Sequence, residues 1–224
     1  MIDVISATRQ TEQAFWAGSA LGLSLLRLHQ DGRFRARVAF ENQDGLPVVY
    51  NRGLQADDCA EICLFVHDDV WLDDYHLADR LIDGLSRYDV IGVAGNRRRV
   101  AGQPAWAFVN GQFQWDDREH LSGSVGHGQA PFGKVSRYGP SPADCELLDG
   151  VLLAARTSTL RQRGVLFDPR FRFHFYDLDF CRTARQRDLR VGSWPISITH
   201  QSGGAFGTLS WREGWQTYLG KWGD

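Results

Sequence analysis

Cysteine is scarce in this chain and badly spaced for chemistry. Cys59, Cys63, Cys145 and Cys181 are the only four. Three residues separate the first two and no matching pair follows, which fits neither a zinc site nor a redox motif, so they are expected to be reduced core residues. Charge of one sign is also lacking. With 25 Lys and Arg against 27 Asp and Glu, the net charge of -2 gives no general attraction to nucleic acid or anionic lipid, and any phosphate site has to be local. No apolar run approaches the ~20 residues of a membrane span. Met1 to Ile5 lacks a basic segment ahead of an apolar one, so cytoplasmic residence is the expectation. Ser6 to Gln10 lacks the glycine-rich basic signature that cradles a triphosphate.

What is present is an ordinary core in 224 residues, 43% of them hydrophobic, enough for one α/β domain or at most two small ones. The most informative stretch is Glu61-Ile62-Cys63-Leu64-Phe65-Val66-His67-Asp68-Asp69, an apolar run that ends in a histidine and two carboxylates. Such a run reads as a buried strand, and polar residues at its carboxyl end sit where open α/β sheets bind ligands. The patterns predict strands over 2–7, 35–40, 62–66 and 88–94. Between them come helices over 11–28 with Thr11 as N-cap, over 46–56, and from 77 with Asp73 or Asp74 as cap. That succession implies right-handed crossovers and a mainly parallel sheet with helices on both faces.

From 95 to 144 the pattern dissolves. Trp106, Phe108, Phe113 and Trp115 alternate as in a hairpin, and the glycine-rich 122–138 is expected to be a long loop, either a substrate cover or merely a floppy insertion. Residues 147–154 read as a strand, followed by a short helix near Thr157, a strand over 190–193 and the segment 196–200. In the tail, Trp211, Trp215, Tyr218 and Trp222 recur at helical spacing. Packing is their first reading; an acceptor platform or a shallow, peripheral membrane contact are the functional ones.

The order of motifs resembles the nucleotide-sugar-dependent glycosyltransferases of the GT-A fold, specifically the inverting family 2. Val66-His67-Asp68-Asp69, then Asp149-Gly150 followed by Phe167-Asp168-Pro169 and Tyr176-Asp177-Leu178-Asp179, then His200-Gln201-Ser202-Gly203-Gly204 carry the resemblance. It implies a single GT-A-type α/β domain over 1–224, with a Rossmann-like, mainly parallel central sheet flanked by helices and a small β-hairpin/loop insertion. Residues 1–95 would be the nucleotide-binding half, 96–144 the insertion, and 145–224 the acceptor half and tail.

The same resemblance implies the chemistry. A nucleotide-sugar donor gives its sugar to a saccharide or other hydroxyl acceptor, as in polysaccharide biosynthesis, and expulsion of the diphosphate calls for a cation. Asp69 and His200 would hold Mn²⁺ or Mg²⁺, and Asp177 would be the base, with Asp179 in support because the two point about 200° apart on a helix. Ser6, Ala7, Thr8, Arg9, Glu41, Asn51, Asp68 and Asp149 would hold the nucleotide sugar. The chain departs from the family pattern with His67 in place of the first Asp of Asp-x-Asp, Tyr176 in place of Glu, and Ser6-Ala7-Thr8 in place of a Pro-Thr start. Two rivals remain, a degenerate module that binds a nucleotide sugar or glycan without turnover and a sugar-phosphate nucleotidyltransferase.

Overall fold

The computed structural model describes residues 1–223. In chain order the elements are β1 (Ile2–Ala7), α1 (Glu12–Gly18), α2 (Ala20–Arg27), β2 (Phe34–Ala39), α3 (Leu46–Gln55), β3 (Ile62–Val66), β4 (Val70–Leu72), α4 (Leu77–Arg87), β5 (Val90–Gly92), β6 (Ala94–Asn96) and β7 (Leu121–His127). They continue with β8 (Lys134–Gly139), β9 (Ala143–Asp144), β10 (Leu147–Leu148), β11 (Leu152–Arg156), α5 (Thr157–Arg163), α6 (Tyr176–Gln186), β12 (Val191–Ser193), β13 (Ile198–His200) and α7 (Leu209–Trp222).

One sheet has the order β2-β1-β3-β11-β5-β12-β9. The pairs β1/β2, β1/β3 and β5/β12 are parallel, while β11 runs antiparallel between β3 and β5. Every residue of β3 is buried, as its unbroken apolar run requires. The register sets Asp3 beside Arg35. The buried Asp3 carboxylate accepts hydrogen bonds from Arg35 at 2.6 and 2.9 Å, Arg37 at 2.6 Å and the Ala60 amide at 2.9 Å. Burial alone would raise its pKa, and these donors bring it below the usual carboxylate range.

The second sheet has the order β10-β6-β7-β13-β4, with β8 on β7. It departs most from expectation. Residues 122–138 form the β7/β8 hairpin, not a long loop, whereas the hairpin expected around 106–115 amounts to one bridge between Phe108 and Trp115. Glycines conceal β7 because they permit close backbone approach: a Cβ on Gly123 would lie 2.0 Å from the Val93 carbonyl oxygen. The expected strand over 147–154 is broken at 149–151, with β10 in one sheet and β11 in the other, so Asp149 stands where the sheets part. The strand expected over 88–94 divides between the sheets in the same way, as β5 and β6.

Smaller corrections have local causes. The helix expected over 11–28 is two helices, because Ser19 is extended (φ -74°, ψ 150°) and caps α2 by accepting from the Gly22 amide at 2.9 Å. His76, not Asp73 or Asp74, is the N-cap residue of α4; Asp74 accepts from the His76 amide, and Asp73 accepts from the Thr199 hydroxyl. Thr11 caps α1 as expected. The four thiols are free, three of them buried. Beneath the site, Phe65, Phe167 and Phe180 pack with Tyr50 and Tyr176, Phe167 and Phe180 stacking at 4.1 Å between ring centroids.

Candidate functional site

The fold brings together residues far apart in the chain. His67 and Asp69 occupy the turn between β3 and β4, and β13 pairs antiparallel with β4 so that His200 lies opposite Val70. The Asp69 carboxylate comes within 3.3 Å of His200 Nε2, and the Gln201 amide donates to the Asp69 carbonyl at 3.0 Å. Ligand atoms of His67, Asp69 and His200 all lie within 4.8 Å of one another. His67 is the member of this group that sequence reasoning did not assign; a His-x-Asp spacing at a strand end was the available signal.

The electrostatics suit a cation. Burial, foremost, pushes the His67 imidazole below its usual pKa and keeps it neutral, as a metal ligand must be. At His200 burial acts the same way, but the Asp69 hydrogen bond and charge outweigh it and raise the pKa. At Asp69 burial works upward, and His200 overcomes it, taking the carboxyl down to about 2. Two imidazoles and a carboxylate fit Mn²⁺ or another transition ion better than Mg²⁺, which prefers an all-oxygen shell.

Asp177 sits in the first turn of α6, whose N-cap Phe175 has φ 66°. A non-glycine residue in that left-handed region is strained. Phe175 is held there by packing on Trp211 and Tyr218 at 5.3 and 5.6 Å. The Gly150 amide donates to Asp177 Oδ2 at 3.0 Å, and a Cβ on residue 150 would meet the Tyr176 hydroxyl at 2.5 Å, so only glycine admits α6 this close. Burial, then the charge of Asp149, raises the Asp177 carboxyl to about 7 against the pull of the surrounding amides. At a helix start the dipole would depress it, and here desolvation wins.

Asp149 accepts from the Trp106 indole at 2.9 Å and the Val151 amide at 3.0 Å. His67 Nε2 lies 2.8 Å from the Tyr176 hydroxyl, which donates to the Gly150 carbonyl at 2.7 Å. A cleft of about 500 Å³ joins His67, Asp149, Asp177 and His200 to an aromatic wall that includes Trp106, Trp115, Tyr138 and Phe206.

The N-terminal candidates lie outside that lining, which begins at His67. Ser6 and Thr8 are buried, Ala7 is half-buried, and Arg9 and Glu41 are exposed, Glu41 with φ 47°. Thr8 Oγ1 accepts from the Gln10 amide at 3.1 Å. Asp68 is half-buried beside the cluster, its carbonyl bonded to the Leu21 amide. Both ends of the Asn51 amide are engaged by the Phe167 backbone, at 2.7 and 3.0 Å, so Asn51 ties α3 to the Phe-Asp-Pro turn.

No protein-family model and no curated protein sequence matches the chain. Solved structures share its fold. GalNAc-T7 with UDP, GalNAc and Mn²⁺ superposes with a TM-score of 0.56 at 12% identity, covering 100% of this chain and 48% of that one. The catalytic domain of Drosophila β1,4-galactosyltransferase 7 in complex with xylobiose superposes with a TM-score of 0.54 at 11% identity, covering 96% and 79%. The domain is thus α/β of the GT-A type, the fold of those transferases. Among the described residues no helix is long and apolar enough to cross a membrane.

Proposed function

We propose that the protein is an inverting glycosyltransferase, in which a hydroxyl of the acceptor attacks the anomeric carbon of a nucleotide sugar in one displacement. The observation that carries this reading is that His67 and His200, which cluster with Asp69, line one cleft with Asp177, a carboxyl raised to about 7. His67, Asp69 and His200 would hold Mn²⁺ in preference to Mg²⁺; bound there, the ion would supply the positive charge that a departing diphosphate needs. Asp177 takes the acceptor proton as the hydroxyl attacks, its pKa matched to work near neutral pH. The Gly150 amide fixes the carboxylate through Oδ2. Ser6, Ala7, Thr8, Arg9, Glu41 and Asp68 would carry the nucleotide end of the donor.

The test is release of nucleoside diphosphate from a panel of nucleotide sugars with Mn²⁺ or Mg²⁺, with Asp69→Ala alongside. Metal-dependent release that the substitution abolishes supports the transferase. Donor binding without release, with and without acceptors, would instead make this a non-catalytic sugar-nucleotide module.

A further inference from the structure

The charge and shape of the cleft define what can approach Asp177. None of its lining residues is a lysine or an arginine. Its carboxyl groups are Asp149 and Asp177; burial lowers the pKa of His127 and His174, while His200, raised by Asp69, is paired with that carboxylate. Opposite them stands the aromatic wall. Trp115 is 52% exposed, with its ring stacked on Tyr138 at 5.8 Å and 16°, and Tyr138 is braced edge-on by Trp106 at 4.9 Å. Trp106 in turn donates to Asp149. A half-exposed ring braced by its neighbours suits the C–H face of a pyranose, and an anion at this wall would face Asp149 and Asp177 with no lysine or arginine beside it.

We propose that this wall is an acceptor subsite for an uncharged saccharide, with Trp115 as its platform, and that the cleft rejects acceptors bearing carboxylate or phosphate. The inference rests on the transferase reading. Calorimetry or saturation-transfer NMR would measure binding of neutral gluco- and xylo-oligosaccharides, and of their uronic-acid congeners, to the protein with UDP and Mn²⁺. The neutral members are expected to bind at least about tenfold more tightly than the anionic ones, and Trp115→Ala, checked for an unchanged melting temperature, to weaken them roughly tenfold. Equal or tighter binding of the anionic congeners, no effect of Trp115→Ala, or no neutral binding at all would overturn it. Binding of Mn²⁺ and of a panel of nucleoside diphosphates that includes UDP is recorded in parallel: if one of them binds while saccharide binding fails, only the acceptor inference falls, and if none binds the transferase reading falls as well.

A different observation carries a second inference. Two of the three positions at which the chain departs from the pattern it resembles touch each other: His67 Nε2 lies 2.8 Å from the Tyr176 hydroxyl. That hydroxyl has one hydrogen and gives it to the Gly150 carbonyl. It can therefore only accept from His67, which puts the imidazole proton on Nε2 and leaves Nδ1 with a free lone pair. We infer that Tyr176 is a positioning residue that locks His67 in the tautomer able to bind a metal through Nδ1. The two departures are thereby one exchange, an Asp and Glu pattern replaced by a hydrogen-bonded His and Tyr.

Titration with Mn²⁺ alone, followed by the paramagnetic resonance of the free ion, tests it. Tyr176→Phe is expected to weaken Mn²⁺ binding at least about tenfold, and to add nothing in a His67→Ala background. Independent losses in the double variant, or unchanged binding in Tyr176→Phe, would overturn the inference. Nitrogen chemical shifts of His67 in the unaltered protein give a check that needs no variant: a proton on Nδ1 would refute it.

Discussion

The two sides of α6 set a pair of carboxylates, two residues apart, in opposite company. Toward the cleft, Asp177 has the carboxylate of Asp149 as a neighbour and backbone amides as its donors. Toward α7, the fully buried Asp179 receives Lys221 Nζ at 2.6 Å and Trp222 Nε1 at 2.9 Å, and Lys221 also reaches Asp168 at 2.8 Å. Burial raises both carboxyl pKa values. A like charge adds to the rise at Asp177, whereas an ammonium and an indole counter it at Asp179. Burial alone therefore does not make a proton acceptor; burial without a counter-ion does, and the same burial with one makes a clamp.

Replacing the cleft-side acid separates the two roles most sharply. Asp177→Asn is expected to lower acceptor-dependent transfer by roughly 10²- to 10⁴-fold, the range for a lost general base. The melting temperature should hold or rise. The sign follows from linkage: the folded carboxyl titrates near 7 and an unfolded one near 3.8, so the native state holds the extra proton in that window and stability falls as pH rises through it. A coincident loss of transfer and of stability would place Asp177 with Asp179, among the structural acids.

On the other side, Lys221→Met should cost about 3 kcal/mol by leaving Asp179 buried with the Trp222 indole as its one remaining donor. For a chain of this size that is a drop of roughly 10 °C in melting temperature. Donor turnover per folded molecule should stay within a few-fold. A variant as stable as the parent would mean that the ammonium is not what holds α7 down.

A pH profile comes next in size. With the Asp177 carboxyl raised to about 7, acceptor transfer should climb with pH through neutrality and level off above it. The rate at pH 5 should be roughly a hundredfold below the plateau, tenfold for each pH unit under the pKa. A plateau extending down to pH 5 would show that the carboxyl is not raised.

The opposed directions of Asp177 and Asp179 were legible in the sequence because helical geometry is local: two residues turn about 200°. So were β1 to β3, whose apolar runs and intervening helical patterns carry their own periods. The approach of His200 to Asp69 was legible only through the resemblance, since it depends on β13 pairing with β4. The second sheet was hidden because strands as short as β6 and β10, and as rich in glycine as β7, carry no alternation; their partners are chosen by distant segments. The same non-local pairing hid the approach of His67 to Asp69 and His200 and its bond to Tyr176.

The smallest effect probes the weaker half of the clamp. Trp222→Phe keeps an aromatic ring beside Arg182, whose guanidinium carbon lies 4.2 Å from the indole, and removes the hydrogen bond to Asp179. A hydrogen bond to a charged group contributes about 2 kcal/mol, and the loss should shift the melting temperature by several degrees. Lys221 remains to hold Asp179, so the deficit should shrink at acidic pH, where Asp179, its pKa raised by burial, gains a proton and becomes a donor itself. Trp222→Phe and Lys221→Met share one carboxylate and so should combine non-additively. Strict additivity would mean that indole and ammonium anchor α7 separately, and that the face of α6 behind the cleft is two contacts instead of one clamp.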